Sequence, residues 1–199
     1  MKALRTIHVL RILLPAVIAT ASACPAIAAF DPLTSLVSKA VSTTIDSRTK
    51  AEVAADADIG AGASKALLDD KKAEWKGVSV LVFAQHAVIA GSVKDEATRK
   101  RVQEIVARDK RIRSLKNELR VAADTSFVGD TVVEEKINAV LTATKGISSV
   151  NMRWKSVAGQ VVLMGVAHSA AEASLAQSKI KSLNGVKSLK THLRIVAKK

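Results

Sequence analysis

Residues 150–197 read VNMRWKSVAGQVVLMGVAHSAAEASLAQSKIKSLNGVKSLKTHLRIVA. Two β-rich runs, Val150–Val157 and Gln160–Ala167, flank Ala158-Gly159, where glycine permits the positive φ that a tight hairpin turn demands. Ser169-Ala170-Ala171-Glu172 has the spacing of a capping box, and Ala173, Ala176, Ile180 and Leu183 then recur on one helical face. Gly185 closes that helix, and Ser188–Ala197 predicts a last strand. The order is strand, turn, strand, helix, strand.

The same order occurs earlier in the chain at a spacing of 74 residues, which sets Val88 on Val162, Gly91 on Gly165, Leu115 on Leu189, Leu119 on Leu193 and Arg120 on Arg194. No gap is needed, and Ser114-Leu115-Lys116 coincides with Ser188-Leu189-Lys190. Agreement across a strand, a glycine and a second strand marks a duplicated unit. Asp56 and Asp130 precede matching amphipathic helices and are expected to cap them. The first helix carries Ile59, Ala63, Ala66 and Leu67 to about Ala73, and the second carries Val133, Ile137, Val140 and Leu141. Gly60 and Gly62 weaken the first. In the first unit, Val78–Ala84 and Ala87–Val93 read as a hairpin around Gln85-His86, and Asp95 caps a helix that turns Val102, Ile105 and Val106 inward. Arg113–Ala122 closes that unit, with Leu115, Asn117, Leu119 and Val121 inward and Lys116, Glu118 and Arg120 outward. The fold class is α+β: two tandem αββαβ domains, each a small mixed three-stranded sheet with two helices on one face. Their bounds are 56–123 and 124–199, behind a leader of residues 1–23 and a tether of residues 24–55.

Tyrosine is absent and aromatics form 3% of the chain, so aliphatic side chains must fill two small cores. That scarcity also argues against the exposed rings on which nucleic-acid bases stack, and nucleic acid is not an expected partner. The formal net charge is +13; Lys2, Arg5 and Arg11 lie in the leader, which has no acids, so +10 remains and is shared by both units. Such a balance suits an anionic partner, or serves only to keep small domains soluble.

Basic Met1–Arg11 followed by apolar Ile12–Ala21 reads as a secretory signal, too short to span a bilayer. Ala26-Ile27-Ala28 fits ordinary processing to a soluble protein. Ala21-Ser22-Ala23-Cys24 instead fits lipid attachment at Cys24, the chain's one cysteine. Without a second cysteine no disulfide forms within the chain. Phe30–Ala55 reads as a weak helix or a loose tether.

Asp130 and Val133, the run Gly159–Val166, the alanine-rich helix and Leu183–Leu189 together resemble the BON domain. The first copy keeps Asp56, Ile59, Val88, Gly91, Val93 and Leu115, with Gln85 in place of the turn glycine. Leader, cysteine, tether and two such units are similar to the dual-BON outer-membrane lipoproteins of Gram-negative bacteria (the DolP group). The resemblance implies a non-enzymatic envelope protein in the periplasm. It would be held at the inner leaflet of the outer membrane by a lipid on Cys24 and would support membrane integrity, with anionic phospholipid bound by the second domain. Envelope proteins are further candidate partners. In such relatives an exposed aromatic near the start of the second unit's first helix enters the lipid; here that place holds Val132. The candidate contacts are Phe127, Val128 and Val132 as an apolar wedge and Lys136, Arg153 and Lys155 for the phosphates. Packing of Val132 and Phe127 against the neighbouring unit is the competing expectation, and Trp75 and Trp154 are open to core or membrane roles. A soluble periplasmic chaperone or protein-interaction module is the alternative function.

No catalytic constellation is legible. His86, His168 and His192 each stand alone without a second ligand at metal spacing, so no metal or cofactor is expected. No serine lies in a nucleophile elbow, Gly159 and Gly165 do not open a helix as a phosphate loop would, and adjacent Glu134-Glu135 splay apart on a helix.

Overall fold

A capping box starts the first helix. Thr49 Oγ1 accepts from the Glu52 N–H, and Glu52 Oε2 accepts in return from the Thr49 N–H at 2.8 Å, so α1 runs Lys50–Asp69. Asp56, expected as the cap, therefore lies inside the helix and is buried. The computed structural model describes residues 46–70, 77–122 and 128–197, with Val128 described by its backbone alone. The leader, Cys24, the Ala28 cleavage site, most of the tether, Trp75 and Phe127 lie outside the described residues.

After α1 come β1 (Ser79–Phe83), β2 (His86–Val93), α2 (Glu96–Val106) and β3 (Ser114–Val121). The second unit repeats this as α3 (Val128–Ala143), a 3-10 turn (Ser149–Asn151), β4 (Met152–Val157), β5 (Gln160–Ala167), α4 (Ala170–Lys181) and β6 (Ser188–Ile195). In each sheet the middle strand is antiparallel to its hairpin partner and parallel to the strand after the crossover helix. The expected αββαβ fold, with a mixed sheet and helices on one face, is present twice.

Both hairpins close through two residues with left-handed backbone: Ala84 (φ 50°) and Gln85 (φ 63°), then Ala158 (φ 50°) and Gly159 (φ 78°). The first turn thus falls one residue earlier than the Gln85-His86 expected, because Phe83 pairs with His86. Its strained conformation is held by Asp56, whose carboxylate accepts from the Ala84 and Gln85 N–H groups at 2.7 Å each. Asp130, likewise inside its helix rather than capping it, accepts from Ala158 and Gly159 N–H and from the Ser156 hydroxyl. The aspartate that reads as a cap is a clasp from helix to hairpin.

Asp95 does cap α2, accepting from the Thr98 N–H at 2.7 Å. Ser169 caps α4 through the Glu172 N–H, but the reciprocal half of the expected box is missing. The Glu172 carboxylate turns instead to the N–H groups of Ser148 and His168. Val121, expected inward, is half exposed at the end of β3.

Side chains alternate between two covered faces. Odd positions of β2 and even positions of β1 pack on α1 and α2, with Ile59, Val82, Ile89 and Val102 at the centre. In the second unit Ile137, Met152, Leu163 and Ile180 do the same. The opposite faces meet each other: Leu81, Phe83, Val88 and Ala90 of the first sheet pack against Val162, Met164 and Val166 of the second. A strand covered on both faces needs a continuous apolar run, and β2 and β5 have one. At Gly165 (φ 127°) a Cβ would stand 2.1 Å from the Asn151 carbonyl oxygen, so only glycine lets β4 begin so close to β5.

Candidate functional site

The Asp130 clasp fixes the first turn of α3 against the β4–β5 turn. With Val133, Ile137 and Leu141 in the core, the helical period turns Val132 and Lys136, four residues apart, to the outside. Val132 is 48% exposed. The exposed Lys136 ammonium also lies 3.4 Å from the Asn184 carbonyl oxygen. Glu135 is exposed beside it, and Glu134 is half-buried. This face combines one branched apolar side chain and one flexible cation; the Val128 backbone lies one turn earlier.

Arg153 and Lys155 are not on it. Both were expected to reach phosphates, and both are only 8% exposed. The alternation of β4 sends Arg153 to the sheet face that the first unit covers. Its guanidinium lies 5.5 Å from the centre of the Phe83 ring and donates to the carbonyl oxygens of Val150 and Met152 at 2.9 and 2.8 Å. Burial first, then the nearby Arg48 charge, lowers its pKa to about 10 against the pull of Asp46 and Asp56. Lys155 takes the repeat position of Leu81 and bridges to Glu134 Oε1 at 3.0 Å. Sequence reasoning placed these side chains in solvent because it did not place the units face to face. The uninterrupted apolar run Val161–Val166 was the available signal.

Trp154 is half-buried against the second core, and its indole N–H donates to the Glu134 carbonyl oxygen at 3.2 Å. Its core reading holds. The tether residues Asp46–Arg48 also dock here. Arg48 lies 4.2 Å from the Phe83 ring centre and pairs with Asp46 and Asp56, while the Ser47 N–H donates to Asn151 Oδ1 at 2.9 Å. Arg48 thus joins the start of α1 to the first hairpin turn, and Ser47 reaches the second unit. Among the described residues, no three His, Cys, Asp or Glu side chains gather as a metal site would need.

A family model for the BON domain matches residues 55–123 and 129–197. Among curated proteins, osmotically-inducible protein Y of Escherichia coli (strain K12) is 26% identical over 144 residues, covering 70% of this chain and 72% of that protein. An uncharacterized protein in the gshII 5' region of Anaplasma centrale is 26% identical over 125 residues, covering 61% of this chain and 83% of its own. Two solved structures of CdsD, a structural protein of the Type III secretion system of Chlamydia trachomatis, align at 16% identity with TM-scores of 0.30 and 0.31. They cover 67% and 69% of this chain, which spans 64% and 63% of theirs.

Proposed function

This chain belongs to the BON-domain family through both of its halves, and from that premise we propose that it is a non-enzymatic envelope protein that engages anionic phospholipid through α3. In this reading the leader exports it to the periplasm, a lipid on Cys24 holds it at the outer membrane, and its work is to maintain that membrane. The observation that carries the reading is Val132, 48% exposed beside the Lys136 ammonium on a helix whose other side is locked into the core. A small apolar wedge flanked by a cation can sit between headgroups. Each such cation contributes about 1 kcal/mol near an anionic surface.

Flotation of the full chain carrying Cys24→Ser, with phosphatidylglycerol vesicles against phosphatidylcholine vesicles, tests it without the anchor. Binding is expected only to the anionic vesicles and to weaken with salt. Lys136→Glu should lower it about tenfold and Val132→Glu by a similar factor. Equal partition into both vesicle types, indifferent to these changes, removes the proposal.

A further inference from the structure

The facing surfaces of the two sheets leave a cleft on each side of the contact between β3 and β6, and the two clefts are copies of one another. One is lined by Glu118, Arg120, Gln160, Ser188, Lys190 and Arg99, the last paired with Glu96. The other is lined by His192, Arg194, His86, Ser114 and Lys116, the repeat positions of the first five, 74 residues away. They differ in whether a carboxylate is present. In the first, the Glu118 carboxylate holds the Lys190 ammonium at 2.7 Å. In the second, His192 stands where Glu118 would, and no carboxylate lines the cleft.

Three cations gather at that second cleft: Lys116 and Arg194 line it, and Arg113 acts with Arg194 on His86. None of the three is ion-paired among the described residues. The Asp56 charge reaches His86 and Arg194, but Asp56 is already bonded to Arg48 and to the Ala84 and Gln85 amides. Arg194 Nη2 is shut off from solvent and makes no hydrogen bond among the described residues, which leaves a buried charged donor unsatisfied. His86 Nδ1 and the Ser114 hydroxyl, 2.6 Å apart, supply polar groups beside it. The cleft encloses about 210 Å³, below the range of roughly 300–1,000 Å³ for drug-sized ligands, which suits a phosphate group and not a nucleotide.

We propose that this cleft binds a phosphate-type oxyanion, gripped by Arg194 and Lys116 with Arg113 and the Ser114 hydroxyl in support. An oxyanion satisfies the orphaned guanidinium donor and offsets the clustered charge. The site is separate from the α3 face and does not rest on the function proposed for it. Burial first, then Arg194 and Arg113, holds the His86 imidazole below its ordinary range against the pull of Asp56, so a seated anion raises it.

Titration of the full chain with inorganic phosphate, followed by NMR, is expected to give saturable shifts at His86, Ser114, Lys116 and Arg194 and a raised His86 pKa. Arg194→Gln should weaken binding about tenfold or more, the factor carried by one charge-assisted hydrogen bond. Arg120→Gln, the same repeat position in the other cleft, should leave it unchanged. Lys116→Gln, at an exposed side chain, gives a loss in the same direction and keeps the test alive if Arg194→Gln does not fold. Vesicles with and without phosphatidate separate two sources of the group. Displacement of bound phosphate by phosphatidate vesicles assigns a lipid headgroup, and indifference to them assigns a soluble phosphate. Shifts that do not saturate, that survive both cleft variants, or that fall equally with Arg120→Gln overturn the site.

Discussion

Glu118 and His192 hold the same place in the repeat, 74 residues apart, and they touch: His192 Nε2 lies 2.9 Å from Glu118 Oε1. A residue that meets its own copy marks the axis relating the copies, so the units pack as a pseudo-twofold pair with helices outermost. Lys190 adds a second contact to the same carboxylate at 2.7 Å.

This contact is expected to make stability depend on pH in the acid range. Burial alone would raise the Glu118 carboxyl, but hydrogen bonds from Lys190 and His192, and their charges, outweigh it and hold the group below its ordinary 4.5. The unfolded chain then takes up the proton first, so the contribution is complete above pH 4.5 and is lost as pH falls through the depressed native value. Because Lys190 is 69% exposed, solvent screening limits the effect to roughly 0.5–1 kcal/mol. Denaturant unfolding above and below pH 4.5 should show a smaller acid loss for Glu118→Gln than for the unaltered chain. An identical pH dependence in both would contradict the assignment.

Asp130→Ala removes the clasp between α3 and its hairpin. Two backbone N–H groups and a buried hydroxyl lose their acceptor. The expected loss is about 3 kcal/mol, read from urea unfolding, and a loss under about 1 kcal/mol would show that water replaces the carboxylate.

Gln85→Gly should stabilise the first unit. Gln85 has φ 63° where the second copy has glycine, and a left-handed side chain costs about 1–2 kcal/mol. Glycine's greater freedom in the unfolded chain offsets part of that, leaving a gain of about 0.5–1 kcal/mol in unfolding free energy. The N–H bond to Asp56 is retained, and a destabilised variant would mean that the Gln85 side chain has a packing role.

Arg153→Met tests the placement of a residue that the linear sequence assigns to the membrane. Methionine keeps a long stem beside Phe83 and removes a charge that burial disfavours. Stability within about 1 kcal/mol of the unaltered chain is expected. Binding to anionic vesicles should not change, and a tenfold drop would return Arg153 to the lipid surface.

Most of each unit was legible along the chain because its signals are local. Two-residue alternation, helical periodicity and the glycines at 159 and 165 all act within one hairpin or one helix. The misread caps show the limit of such signals. Thr49 and Glu52 lie in what composition describes as tether, and Asp56 has the chemistry of a cap while its partners are 28 and 29 residues away at the turn. The candidate site was legible in part: Val132 and Lys136 share an exposed face, while Arg153 and Lys155 do not reach it.

The amino-acid sequence alone determined the duplication and the αββαβ order of each copy, because periodicity and turn chemistry report on neighbours a few residues away. Only the tertiary structure decided that the second face of each sheet is covered by the other sheet and not by water. Packing sheet on sheet buried Arg153, brought Glu118 to His192, and divided two equivalent clefts into one that holds a carboxylate and one lined by cations without one. Those outcomes follow from contacts between residues far apart in the chain, and the pattern within either copy does not carry them.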